Sequence, residues 1–404
     1  MSARHLGPAL VAGGLFLAGI AGFTVYARAV ERRSVHAFAP AWFHQKSLGN
    51  ALQREAFRQT DLLPVFGTSE LTSGGSYNAD RVFDDYPTGF DMFRVGWPGY
   101  TPLVTTAMQI AADCPEVCGE KLVISMSPLL FWRPSGEDLA RYYAGNFSRL
   151  QANELAFSTC LSRPVKQRLA RRLLVYPAPL AADPVLKLVL ELLASSSAPS
   201  RVAYAALYPL GLIRLAALRL EDHWETLAWI RAQGTPRPPK PRRPQAVHWP
   251  EVIAHATAIY EATSGKNPLG VDDDWWSKNG AGILKQRGRH PDAEVGKKLR
   301  KSPEWEDLDL LLDVLDELGV RPLLMAVPMK GAYYDLIGVS YAVRKQFFYD
   351  RLAEIAAAHH VALACFADHD GDSRFTADTG DHPSPRGWAF YDQTMDAFVH
   401  DALR

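Results

Sequence analysis

The first pattern along the chain is an absence of polar positions. Pro8 to Ala27 is a run of twenty residues without a charge. As a helix such a run rises about 30 Å, enough to cross the hydrocarbon of a bilayer. A cleaved signal peptide is the rival reading, but the run is long for one and Tyr26-Ala27-Arg28-Ala29 is a mediocre cleavage site. The pattern therefore favours an uncleaved anchor over residues 1–33.

Beyond the anchor, short apolar runs alternate with helical periodicity. Leu62 to Phe66, Lys121 to Ser127, Pro322 to Val327 and Val361 to Phe366 read as buried strands. Leu103, Val104, Ala107 and Ile110 share one helix face. Pro303 to Leu318 is a second helix, with Leu308, Leu311, Leu312 and Leu315 on its apolar side, Glu304, Glu306 and Asp307 near its positive end, and Gly319 as its stop. Arg344 to Ala358 and a segment from Trp388 supply further helices. This alternation predicts an α/β domain with a parallel sheet over residues 34–404.

Residues 137–260 break the alternation with nearly continuous helical pattern, read as an insertion. Within it, Ala203 to Leu220 is apolar enough to raise a second span, but Pro209, Gly211 and Arg214 argue for a buried or membrane-surface helix. Gly234 to Pro244 is basic and proline-rich, an extended surface crossing, with a patch facing anionic headgroups or an anionic polymer as the functional alternative.

Composition adds bounds rather than answers. Apolar residues make up 48% and charged residues 22%, as in globular chains. Lys+Arg and Asp+Glu are both 44, so no net field draws nucleic acid and none is expected as a partner. The cysteines Cys114, Cys118, Cys160 and Cys365 are too few for a disulfide scaffold. Cys114 and Cys118 could bridge locally in an exported domain, and no His/Cys cluster near them points to zinc.

Chemistry enters at Phe66-Gly67-Thr68-Ser69-Glu70-Leu71-Thr72. A small turn after a buried strand lifts a hydroxyl into a cleft, although an ordinary strand-end turn looks the same. The counterpart is Asp378-Thr379-Gly380-Asp381-His382-Pro383, in a loop between a strand and the last helix, where sites of open sheets converge. A serine nucleophile needs a histidine base and a carboxylate to orient it. Ser69 and His382 fit the first two roles, and Asp378 or Asp381 the third. The backbone N–H groups of Ser69 and of Gly96 or Gly99 are the oxyanion donors to expect. Asp368, Asp370, Asp372, Asp378 and Asp381 invite a cation, but their spacing lacks the calcium-loop pattern. No metal or cofactor is expected.

These pieces together resemble the DltD family of teichoic acid D-alanylation, which has a fold like the SGNH/GDSL hydrolases. Phe66 to Leu71 looks like its nucleophile block and Gly96-Trp97-Pro98-Gly99 like its glycine-rich turn. Val123 to Pro128, Asn267 to Asp272, Ser302 to Trp305, Val327 to Asp335, and His382 with Gly387-Trp388 match further motifs. Leu129 and Leu130 stand where the family often has Gln-Trp, and Met329 where it usually has Asn. The family spacing Asp-x-x-His places its acid at position 379, which is threonine here; Asp378 is one residue early and is favoured, with Asp381 as its rival.

The resemblance implies a three-layer SGNH-like domain with an N-terminal transmembrane helix. It makes Ser69 the nucleophile and His382 the base in O-acylation, D-alanylation or a related transfer, of an envelope polymer. A membrane-bound esterase or thioesterase, or a non-catalytic scaffold, are the alternatives. The implied partners are an MBOAT-type membrane O-acyltransferase, an acyl carrier protein and a teichoic acid or envelope polysaccharide acceptor. Arg28, Arg32 and Arg33 after the span lean toward a cytoplasmic body. The resemblance implies the reverse, a single-pass cell-membrane protein with its domain outside. An oxidising exterior would permit the Cys114–Cys118 bridge.

Overall fold

Five strands carry the fold: β1 Leu62–Gly67, β2 Asp91–Gly96, β3 Lys121–Met126, β4 Arg321–Ala326 and β5 Ala362–Cys365. They come from a computed structural model that describes residues 6–39, 50–72, 77, 79–96, 99–132, 136–234 and 243–403. The sheet order is β2-β1-β3-β4-β5 and every pairing is parallel. Four of the strands coincide with the expected apolar runs. The fifth, β2, was not expected, because Asp91 and Arg94 interrupt its apolar pattern. Arg94 is nonetheless buried, and its Nη1 donates to the Leu71 carbonyl at 2.9 Å.

The helices that matter for function are α1 Leu6–Phe38, α2 Leu103–Ala112, α3 Arg149–Phe157, α4 Ala198–Gln233, α5 Trp249–Ser264, α6 Glu304–Glu317 and α7 Pro385–Val399. Strands covered on both faces need no polar side, which is why they read as unbroken apolar runs. Leu62, Phe66, Ile124 and Leu324 join one core cluster with residues of α2, α3 and α6. Leu63, Val65, Val123 and Leu323 join the other with residues of α5 and α7. The result is a three-layer α/β/α sandwich, as the resemblance implied. Each fully buried Leu or Val in it contributes about 2 kcal/mol.

The long stretch between β3 and α6 is almost wholly helical. One helix within it, α4, runs unbroken for 36 residues through Pro209. Of the proline-rich crossing, residues 235–242 lie outside the described residues.

The anchor, α1, is a continuous helix of 33 residues. Leu10, Leu15, Phe16 and Leu17 on its first half are exposed, whereas Ala27, Glu31, Val35 and Phe38 on its second half are buried in the domain. Apolar side chains left bare along a helix of this length mark a lipid-facing span. One span at the N-terminus leaves the whole domain on one side of the membrane, the extracytoplasmic side implied by the resemblance.

One expectation is corrected. Cys114 is bonded to Cys160, 46 positions on, and not to Cys118, which is free and exposed. Residues 113–118 wind as a tight turn, closed by Val117 N–H to Asp113 and Cys118 N–H to Pro115. That turn packs Cys114 against the segment after α3, and the Cα atoms of Cys114 and Cys160 are 6.4 Å apart, within disulfide reach.

Candidate functional site

Strand order reverses between β1 and β3, and open parallel sheets place their sites at the C-terminal ends of strands flanking such a reversal. A cleft of about 420 Å³ opens there. Thr68, Ser69, Gly99, Tyr100, Ser127 and Trp275 line it, together with every residue from Asp378 to His382.

Ser69 follows β1 and begins a single 3-10 turn, Ser69–Thr72. The turn is fastened from within. Glu70, fully buried, accepts the Thr68 N–H at 2.8 Å on Oε1 and the Thr68 hydroxyl on Oε2. Thr72 Oγ1 donates to the Ser69 carbonyl at 2.7 Å. A Cβ at position 67 would lie 2.5 Å from Glu70 Oε1 and 2.8 Å from Leu71 Cδ1, so only glycine lets the turn close this tightly. Arg94 of β2 then holds the Leu71 carbonyl from below.

His382 reaches the cleft from the loop ahead of α7. Its Nε2 lies 2.9 Å from Ser69 Oγ, and its Nδ1 lies 2.5 Å from Asp378 Oδ2. The other Asp378 oxygen accepts the Gly380 N–H at 2.8 Å. Both oxygens of Asp378 are thereby aimed, which fixes the imidazole ring between carboxylate and hydroxyl. Asp381 lines the same cleft but is not the carboxylate on Nδ1.

Electrostatics acts on Asp381 and on His382. Burial, reinforced by the Glu70 and Asp378 carboxylates, raises the Asp381 pKa, although His382 opposes it. Burial also disfavours the imidazolium of His382. The Asp378 hydrogen bond and the charges of Asp378, Asp381 and Glu70 outweigh that effect and push His382 up to about 9.

The loop carrying His382 is hung from distant groups. Lys330 is buried, and its three ammonium donors meet three carbonyls: Gly270 at 3.2 Å, Ser373 at 2.7 Å and Thr376 at 2.8 Å. Tyr260 of α5 donates to two of the same carbonyls, Gly270 and Thr376. Burial pulls Lys330 down to about 7 against the attraction of Asp378 and Asp372. Further back, Arg344 pairs with Asp370, whose backbone carbonyl accepts the Gly331 N–H at 2.8 Å. Asp372 is held by Arg386 and His369. The loop's acidic residues thus serve as struts: Asp370 and Asp372 are committed to basic partners.

Of the residues singled out from sequence, Ser69, His382 and Asp378 come together. Gly99 lines the cleft with φ at +110°, a backbone state suited to glycine. Gly96 ends β2 level with Gly67 and is not among the lining residues. Leu129 and Leu130, at positions where the resemblance differs, line the cleft. Met329, the other departure, is buried and donates its N–H to Tyr349 at 2.7 Å. Sequence reasoning missed the supporting roles of Arg94, Glu70 and Lys330. The signal for Lys330 was a lone cation between a buried strand and the aromatic pair Tyr333-Tyr334.

Comparisons with known proteins point to one family. A family profile described as DltD protein matches residues 39–400. The protein DltD of Bacillus subtilis (strain 168) is 26% identical over 408 aligned residues, covering 98% of each chain. The protein DltD of Staphylococcus aureus (strain NCTC 8325 / PS 47) is 21% identical over 348 aligned residues, covering 86% of this chain and 83% of that one. With the family profile spanning nearly the whole domain and the first relative aligned through the anchor as well, the chain belongs to the DltD family.

Proposed function

We propose that the domain handles acyl esters through Ser69, as a serine-dependent O-acyltransferase acting on a cell-envelope polymer outside the membrane. The observation that carries this reading is the line Asp378–His382–Ser69, with contacts of 2.5 and 2.9 Å, at the mouth of a cleft beside the strand-order reversal. Ser69 Oγ attacks the acyl carbonyl while its proton passes to His382 Nε2. The departing alcohol or thiol takes that proton, leaving an acyl-serine ester. A polymer hydroxyl then attacks this ester, its proton goes to His382, and the proton returns to Ser69 as the new ester leaves. Asp378 stabilises the imidazolium in both halves. The N–H groups of Ser69 and Gly99 receive the oxyanion, whereas Gly96 ends β2 and does not line the cleft. D-alanine and teichoic acid are the acyl group and acceptor that family membership favours, with an MBOAT-type acyltransferase as membrane partner. Leu129 and Leu130 make this cleft more apolar than the family pattern, which favours a less polar portion of acyl donor or acceptor against them.

Full-length protein in membranes, given an acyl donor with and without a glycan or teichoic acid acceptor, tests the reading. Acyl product on the acceptor that vanishes in Ser69→Ala and His382→Ala supports it. Acyl release indifferent to acceptor would make the protein an esterase. Undiminished acylation in cells carrying both variants would leave only a scaffold for the membrane enzyme.

A further inference from the structure

The helix α4 has two unlike faces. Its inner face is locked to the domain. Tyr204 Oη donates to the Ala156 carbonyl at 2.5 Å and Tyr208 Oη to the Phe157 carbonyl at 3.0 Å. Gly211 sits so close to Phe157 that a Cβ there would lie 2.0 Å from the ring. Arg214 pairs with Asp183, Arg219 pairs with Glu154, and Asp222 accepts the N–H groups of Asn50 and Ala51 at 3.1 and 2.7 Å. A helix bound by this many polar links along one side is not a second span surrounded by lipid.

The outer face is bare. Val202, Leu210, Ile213 and Trp224 are exposed by 70, 64, 69 and 67% of their surface. From Val202 to Ala217 every fully exposed residue is apolar, including Pro209. The charge-free stretch from Val202 to Ala217 is about 22 Å long at helical rise; Arg219 and Glu221, exposed but ion-paired with Glu154 and Arg149, separate it from Trp224. Soluble surfaces do not leave a charge-free stripe of this length uncovered.

Its position says what covers it. The Trp224 ring lies 5.9 Å from that of Phe23, and an apolar cavity of about 590 Å³ is walled by Phe16, Ile20 and Phe23 on one side and Ala217, Leu220 and Trp224 on the other. Phe16, Ile20 and Phe23 belong to the uncharged run that crosses the membrane. Lipid that surrounds them also meets α4. The exposed Arg28, Arg32 and Arg33 just past the span, with Arg201 at the far end of the stripe, are placed to meet headgroup phosphates.

We propose that the outer face of α4 beds into the outer leaflet of the bilayer, so that the domain is held by one spanning helix and one interfacial helix. The inference is independent of the chemistry at Ser69. It requires only that α1 spans the membrane.

The test uses full-length protein in vesicles of phosphatidylglycerol and phosphatidylethanolamine, in a Cys118→Ala background that removes the exposed thiol. Single cysteines replace Val202, Leu210 or Ile213, with Phe16→Cys as a lipid-facing reference and Lys285→Cys as an aqueous one. Each carries an environment-sensitive fluorophore and is challenged with brominated lipid and with iodide. The expected result is loss of most emission to brominated lipid, and little to iodide, at the three stripe positions and at Phe16→Cys, with the reverse at Lys285→Cys. Quenching of the stripe by iodide alone would overturn the proposal. Protection from both quenchers would also overturn it, because a second copy of the chain would then cover the face.

Discussion

The two arms of the cleft are built on opposite plans. The Ser69 arm is local: Thr68, Glu70 and Thr72 fasten it within a single turn, and Arg94 reaches in from a neighbouring strand. The His382 arm is a long loop whose shape depends on Lys330, Tyr260 and Arg344, from three other parts of the chain. A strand-end turn can be made rigid by its own residues because the sheet already fixes its entry. A loop that must carry His382 across to Ser69 has no such frame, so its carbonyls are gathered on a buried ammonium. The difference teaches where each arm is vulnerable. Local changes should disturb the serine, whereas distant ones should disturb the histidine.

The largest expected effect removes the contrast altogether. If the arms act as one unit, Ser69→Ala and His382→Ala should each lower acyl-ester turnover by about 10⁴- to 10⁶-fold, and the double variant should fall hardly further. An additive double variant, measured on a reporter ester in membranes, would mean that the two residues do not share a step.

Next comes the acid. Asp378→Asn should cost about 10⁴-fold in kcat, since the amide cannot hold the imidazolium as the carboxylate does. Asp381→Asn should leave most of the activity. The opposite ranking would transfer the role to Asp381 and break the geometry argument.

Lys330→Met sharpens the comparison between arms. The Ser373 carbonyl loses its ammonium donor and those of Gly270 and Thr376 keep only the Tyr260 hydroxyl, a loss of roughly 2–4 kcal/mol in stability. Thermal unfolding in detergent should show this as a lowered midpoint, and kcat should fall because His382 is no longer held. Lys330→Arg, which keeps the charge but not the three-pronged fit, should recover only part of it. Unchanged kcat in Lys330→Met at a temperature where it is folded would show that the base arm stands without its cage.

The subtlest effect is on pH dependence. Because His382 is pushed up to about 9, the neutral base form grows as pH rises, and kcat/KM should climb from neutral pH toward that value. Asp378→Asn removes the main cause of the rise, so the residual activity should titrate nearer the ordinary histidine value of about 6.5. A midpoint that does not move would sever the link between Asp378 and the proton affinity of His382.

Much of this molecule was legible from residues alone, for reasons that differ by element. β1, β3 and β4 announced themselves because both their faces are covered and their residues are almost all apolar, whereas β5, half-exposed at the sheet edge, was legible from its apolar run alone. β2 was not, since Arg94 in it reads as surface until its bond to Leu71 is seen. Ser69 and His382 were legible through the turn and loop that carry them. Asp378 was favoured over Asp381 only through the resemblance of Asp378-Thr379 to the family's Asp-Thr step, because spacing along a loop does not say which carboxylate turns toward Nδ1. The role of Lys330 lies further from view still: its partners are 43, 46 and 60 positions away. Cys114 likewise found its partner across the fold, against the expectation of a neighbour four residues on.

The unbroken course of α1 has a consequence for reach. A flexible stalk lets a domain sweep a volume that grows with its length, diluting its site through that volume. Here the same helix that leaves the bilayer is buried in the domain by Val35 and Phe38, so the connection is a mast and not a leash. The cleft is held at one height above the lipid; on the proposed function, a polymer chain would have to bend down to it, or be delivered at that height, to be modified.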